Sequence, residues 1–192
     1  MTELLGTRNS EPGTRKVSNY VELHCHSAFS LLDGAALPEK LIERAAELGY
    51  PALALTDHDD LGGAIRFGDA AAEVGIKAII GAELTVSAAG PDRRSAENHH
   101  IVLLAENREG YGSLSTLITL ARSRTRGEPC IDLDTLASHA KGLFALTDHD
   151  DLGGAIRFGD AATEVGIKAI IGAELTCSAA ARTRRAFGAV RE

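Results

Sequence analysis

The chain has 192 residues, 44% hydrophobic and 24% charged, which suits one globular domain with a buried core. A formal charge of −7, with aromatics at only 4% and no Trp, argues against strong autonomous binding to nucleic acid, which rests on Lys and Arg neutralising phosphates. No apolar run approaches the roughly 20 residues of a membrane span, no secretory h-region opens the chain, and three cysteines at unrelated spacings make no disulfide framework; a reduced, cytoplasmic setting is expected.

Residues 1–19 read as a polar, flexible N-terminal arm. Tyr20–His24 reads as a strand running into "HCHS". Pro38 opens a helix at a favourable first-turn position, Leu41, Ile42, Ala45 and Leu48 form its apolar stripe, and Gly49 ends it. Ala52–Thr56 is a short apolar strand, Leu61–Val74 a helix stopped by Gly75, and Lys77–Ala82 another buried strand. Ala88–Asn98 is a polar loop with Gly-Pro punctuation, and His100–Ala105 the next strand. Leu114, Leu117, Ile118 and Ala121 give a helical face, Asp132–Ala140 a shorter helix ending near Gly142, and Leu143–Thr147 a further strand. This alternation predicts an α/β domain with mainly parallel strands covered by helices.

Polar residues collect at the predicted strand C-termini, where α/β folds place their chemistry. In an extended segment His24 and His26 point to one face and Cys25 to the other, so the two imidazoles can grip one divalent ion. "LLDG" offers Asp33, "TDHD" offers Asp57 and His58, and "GAE" offers Glu83. "NHHIVLL" adds His100, with His99 read as a solvated neighbour; His100 falls at the start of its strand, an exception that an antiparallel entry would explain. Each has an ordinary structural explanation alone, such as a turn or cap role for Asp33. Together they form the mixed nitrogen and oxygen set used for Zn²⁺, Mn²⁺ or Fe²⁺.

One segment appears twice. Residues Ala54–Ala89 and Ala145–Ala180 align at an offset of 91 with 34 of 36 positions identical; only Ala72/Thr163 and Val86/Cys177 differ. Solenoid repeats recur at short, regular periods, whereas two near-identical copies around unrelated residues read as a segmental duplication. The expected organisation is the arm, a domain over 20–144, the duplicated strand–helix–strand unit over 145–180, and a basic tail over 181–192.

"VELHCHSAFSLLDGA", "ALALTDHDDLGGAIRF", "GIKAIIGAEL" and "HHIVLLAENREGYGSL" together resemble the PHP (polymerase and histidinol phosphatase) domain of bacterial DNA polymerase III alpha subunits, the error-prone branch above all. The likeness runs from Tyr20 to about Ala145. It implies an incomplete or distorted (β/α)7 TIM-like barrel with up to three divalent ions at the strand C-terminal face. It further implies that His24 and His26 hold one ion, that Glu83 bridges it to a second shared with His100, and that Asp33 and His58 hold a third. The implied chemistry is phosphoester hydrolysis by an activated water, of the 3′–5′ exonuclease type, with Asp57 as a supporting carboxylate. Implied partners are a phosphoester or a DNA 3′ end and the other polymerase subunits.

The sequence departs from that pattern after "GLFALT", which runs straight into the second "DHDDLGG". No Asp-x-His motif follows His149, so the first and third ion sites are each expected to lack a ligand. His149 falls in the column where the family places a Cys or His ligand of the second ion and is expected to join Glu83 and His100; Asp148 and Glu174 are the other carboxylates that the second copy offers. Polymerase palm, fingers and thumb are absent, so no polymerisation is expected, and phosphoesterase activity is expected to be weak or lost. The alternatives are a non-catalytic remnant of a polymerase subunit and a small stand-alone phosphatase. Two nearly identical units compete for the same neighbours, and an incomplete barrel exposes an edge, so self-association is expected.

Overall fold

The computed structural model describes residues 19–87, 98–124, 128–146 and 168–170. Its elements are α1 (Pro38–Glu47), β1 (Ala52–Leu55), α2 (Ala64–Val74), β2 (Lys77–Ser87), β3 (Asn98–Ala105), α3 (Arg108–Arg124), β4 (Ile131–Asp132), α4 (Leu133–Ser138), β5 (Leu143–Leu146) and β6 (Lys168–Ile170). The strands form one mixed sheet in the order β1-β2-β3-β5-β6, with β4 pairing β2. β1 runs parallel to β2, whereas β3 is antiparallel to both β2 and β5. Ten residues separate β2 from β3, fewer than a parallel crossover needs, so reversal is the connection the chain length permits. Five of the six strands thus run in one direction, as the expectation of mainly parallel strands has it, and β3 alone opposes them. Among the described residues β1 and β6 end the path, and no pairing joins them into a closed barrel.

Helix boundaries follow local chemistry. Pro38 occupies the first turn of α1, where its missing N–H costs nothing, and Gly49 takes φ 75° just past the end. α2 ends at Gly75, φ 74°, whose N–H donates to the Ala71 carbonyl. Asp132 caps α4 by accepting from the Thr135 N–H at 2.7 Å. The expected strand at Tyr20–His24 is instead an extended segment beside β1. It makes a single parallel bridge, Glu22 to Leu53, with Ala54 and Thr56 N–H groups donating to the Glu22 and Cys25 carbonyls.

Alternation along β2 and β3 sorts side chains to two faces. Ala82, Leu84, Val86, Ile101 and Leu103 pack beneath Leu114, Leu117, Ile118 and Ala121 of α3. Val102 and Leu104 face the other way, joining Ala54 and Leu146. A third cluster packs α1 and α2 on β1 through Ile42, Leu53, Leu55 and Phe67. On the second face an apolar groove of about 560 Å³ runs past Leu23, Ile79, Ile80, Leu104 and Phe144. The start of α3 meets the β5 approach at Gly110, where a Cβ would collide with the Gly142 carbonyl oxygen; only glycine lets the two backbones close so tightly.

β6 carries the same three residues as the start of β2 and pairs parallel with β5, as β2 pairs with β1. The pairing is one residue out of the first copy's register: Lys77 faces Ala52, whereas Lys168 faces Phe144, which the offset of 91 aligns with Leu53, just before the repeat. Most of the second copy, with Asp148, His149 and Glu174, lies outside the described residues.

Candidate metal centre

Four chain segments bring their polar side chains together on one face of the sheet. His24 and His26 share a side of the extended segment, while Cys25 between them turns into the α1–α2 core. Glu83 sits in β2 between Ala82 and Leu84, so its side chain takes the face opposite α3. His58 follows β1 and bridges Glu83 through the backbone: Glu83 N–H donates to the Asp57 carbonyl at 3.2 Å and Asp59 N–H to the Glu83 carbonyl at 2.8 Å. His100 lies opposite Thr85 in β3 and reaches the same face as Val102. Because β3 is antiparallel, its first residues lie at the end where β2 finishes, which resolves the odd position of His100 in the sequence.

Glu83, 8% exposed, is the hub. Its Oε2 lies 2.6 Å from His24 Nε2 and 2.9 Å from His26 Nε2, and those two nitrogens stand 3.1 Å apart. Its Oε1 lies 2.7 Å from His100 Nδ1 and 3.3 Å from His58 Nδ1. The His58 and His100 rings stack, centroids 4.8 Å apart. Two donor sets therefore converge, His24–His26–Glu83 and His58–Glu83–His100, each with its ligand atoms within 4.8 Å of one another. Behind the first, Asp33 Oδ2 contacts His26 Nδ1, leaving Nε2 for the cluster. A carboxylate on the far ring nitrogen is how metal-bound histidines are commonly oriented.

The family resemblance implied an ion held by Asp33 and His58. The geometry places Asp33 against His26, and His58 with Glu83 and His100. His99 is exposed, as expected. Asp57 is buried and bonds Ser27 and Ser30. The sequence did not point to Asp59. It is buried, accepts from the Thr85 N–H and hydroxyl, and lies 3.4 Å from His58 Nε2. The acidic run "DHDD" was the only sign of it. Arg122 of α3 clamps the same loop, donating to the Asp59 carbonyl and the Asp60 carboxylate, and nothing in the local sequence announces that contact.

The donor chemistry fits a divalent cation. Nitrogen and oxygen ligands of one tetrahedral ion stand about 3.3 Å apart, close to the 2.6–3.1 Å among His24 Nε2, His26 Nε2 and Glu83 Oε2. Without an ion, both Nε2 atoms must carry protons aimed at one carboxylate oxygen. Burial pushes the Glu83 carboxyl up, but hydrogen bonds from His24, His26 and His58 outweigh it and hold the group far below the usual carboxylate range. The hydrogen bond to Glu83 raises both His26 and His58. Burial raises Asp59.

These directions set a pH dependence of opposite sign with and without metal. In metal-free protein the raised histidines add stability that is complete below their ordinary value of 6.5 and is lost as pH rises through their folded values. The depressed Glu83 adds stability above its ordinary 4.5 that persists until pH falls through its far lower folded value. Metal needs bare imidazoles and so binds better as pH rises. Thermal unfolding from pH 6 to 8 should therefore show a falling midpoint for metal-free protein and a rising one with saturating Co²⁺. Parallel curves would contradict the assignment.

The family model for the PHP domain matches residues 22–146, which contain every described member of the two clusters. The chain belongs to the PHP domain family. The PHP domain here is 46% identical over 137 residues to an error-prone DNA polymerase of Mycobacterium bovis, covering 68% of this chain and 13% of that protein. It is 45% identical over 132 residues to an error-prone DNA polymerase of Cutibacterium acnes, covering 66% of this chain and 12% of that protein. The chain thus spans about an eighth of the length of these relatives. Among solved structures, its fold is similar to an amidohydrolase of Chromobacterium violaceum with bound sulfate and no metal, at TM-score 0.57 and 22% identity over 79% of this chain and 75% of that one. It is similar also to a protein of Bifidobacterium adolescentis described as a metal-dependent phosphoesterase, at TM-score 0.53 and 14% identity over 81% and 86% of the two chains.

Proposed function

We propose that this PHP domain binds divalent cations at His24–His26–Glu83 and His58–Glu83–His100, with Asp33 orienting His26, and that its chemistry is phosphoester hydrolysis of the 3′–5′ exonuclease type. The observation that carries the reading is Glu83, whose two carboxylate oxygens each face an imidazole pair. A divalent ion supplies an activated water and neutralises phosphate charge. The protein's own part is positional: His24 and His26 present Nε2 to one side of Glu83, and His58 and His100 present Nδ1 to the other.

The reading extends to an incomplete (β/α)7 barrel, the 20–144 and 145–180 organisation, polymerase subunits as partners, a cytoplasmic setting, and self-association at the open sheet edge. It is compatible with the described residues, which contain no helix long and apolar enough to cross a membrane. The metal is Zn²⁺, Mn²⁺ or Fe²⁺, and His149 is the proposed additional ligand from the second copy. The second reading is a metal-binding but non-catalytic domain. Hydrolysis of bis-p-nitrophenyl phosphate with added Mn²⁺ separates the two. Slow turnover that disappears in His24→Ala supports hydrolysis. Stoichiometric Mn²⁺ without turnover supports the second reading, and turnover unchanged in His24→Ala overturns the site.

A further inference from the structure

The imidazoles on the two sides of Glu83 come from separate segments, and one buried residue, next to His58 in the loop after β1, is bonded both to the segment of His26 and to β2. Asp57, 1% exposed, follows Thr56 at the end of β1. Its Oδ1 accepts from the Ser27 N–H at 2.6 Å and the Ser30 hydroxyl at 2.8 Å, and its Oδ2 accepts from the Ser27 hydroxyl at 2.7 Å. Ser27 directly follows His26. Ser30 Oγ accepts in turn from the His58 N–H at 2.9 Å. The Asp57 carbonyl accepts from the Glu83 N–H. Both serines are buried, and Ser30 N–H donates to the Ser27 carbonyl at 2.9 Å, closing the turn between them.

Three short bonds into one carboxylate from buried donors demand a group that only accepts. An amide would set its NH₂ either against the Ser27 N–H, donor facing donor, or against the Ser27 hydroxyl, which must then accept and leave its own proton without this acceptor; either way one of the three bonds is lost. We propose that Asp57 is the positioning residue that fixes His26 and His58 relative to one another, through Ser27 and Ser30, so that Glu83 meets an imidazole pair on each side. The consequence for cations rests on the proposed metal-binding reading; the positioning itself does not.

The test uses the full chain, metal-free, at one fixed pH, with the imidazole resonances of each histidine read by ¹⁵N–¹H NMR. Asp57→Asn should shift and broaden the His26 and His58 signals while leaving those of His139, which bonds the Thr135 carbonyl in α4, unchanged. Ser30→Ala cuts the link to His58 but leaves both Ser27 bonds, so it should move His58 more than His26, and it decides the matter should Asp57→Asn fail to fold. On adding Co²⁺, each variant should lose about ten- to a hundredfold in affinity, as orienting partners of metal ligands do, with altered visible bands. A lowered unfolding midpoint with wild-type His26 and His58 resonances and a wild-type Co²⁺ spectrum would show that Asp57 supports the fold only and overturn the proposal. Should the wild type take up no Co²⁺, the metal reading fails, and the resonances still decide whether Asp57 positions the imidazoles.

Discussion

Glu83→Gln should abolish cation binding at both clusters together, lowering Co²⁺ affinity by at least about a hundredfold, beyond the range expected for an orienting partner. The substitution keeps shape and hydrogen-bonding reach but removes the negative charge and one acceptor. Each Glu83 oxygen serves a different pair of histidines, so no single-sided loss is expected. His24→Ala and His100→Ala serve as the comparison: each should impair one cluster and leave the other titrating. Calorimetric Co²⁺ titration of the three variants reads this directly. Glu83→Gln behaving like either histidine variant would contradict the bridging role.

Phe67→Ala should cost about 3–5 kcal/mol of stability, the largest loss expected from any one core position. Phe67 is fully buried at the junction of α1, α2 and β1, packed with Ile42, Leu53, Leu55 and Ala71. For a chain of this size the loss corresponds to a fall in Tm of roughly 6–20 °C. Ile65, exposed on the same helix, should tolerate alanine within about 0.5 kcal/mol. Phe158 is the matching residue of the second copy and gives the informative control. The account assigns the α2 position to the first copy, so Phe158→Ala should be the milder change in thermal unfolding. Equal costs would mean that the two copies exchange places.

The site was largely legible because its signals are short-range. A period of two put His24 and His26 on one side, and the end of β1 marked His58; Glu83 was singled out at a strand end drawn at Ala82, whereas it lies inside β2. The apolar run "KAIIGA" ended the expected strand at Ala82, whereas β2 continues to Ser87, with Leu84 and Val86 on the face of Ala82. The contact of Asp33 with His26 was not legible in the sequence, because the turn carrying Asp33 is shaped from outside. Ser27 and Ser30 are held by Asp57, some thirty residues on in the chain, and Leu32 takes φ 71° within that turn. No local pattern encodes such bonds. β4 escaped notice because two residues are too few to show a period, and its anchor is the pairing of Ile131 with Val86. The register of β6 was equally hidden: an identical sequence meets a different partner strand, and Phe144 stands where the offset of 91 aligns Leu53.

The open sheet order and the apolar groove on the face of Val102 and Leu104 bear on how the domain behaves by itself. That face also carries Glu83 and His100, so a cation bound as proposed would tie together the segments that border it. Anything that binds the native state alone stabilises it by mass action. A bound cation is therefore expected to protect the exposed sheet as well as to complete the site.

The most direct measurement is the number of ions held per chain, read by elemental analysis after loading with Co²⁺ or Mn²⁺ and exhaustive dialysis, for wild type beside Glu83→Gln. The account predicts up to two ions at the clusters sharing Glu83 and none there in the variant. A wild-type protein free of metal, or a Glu83→Gln variant that retains as much as the wild type, would contradict it.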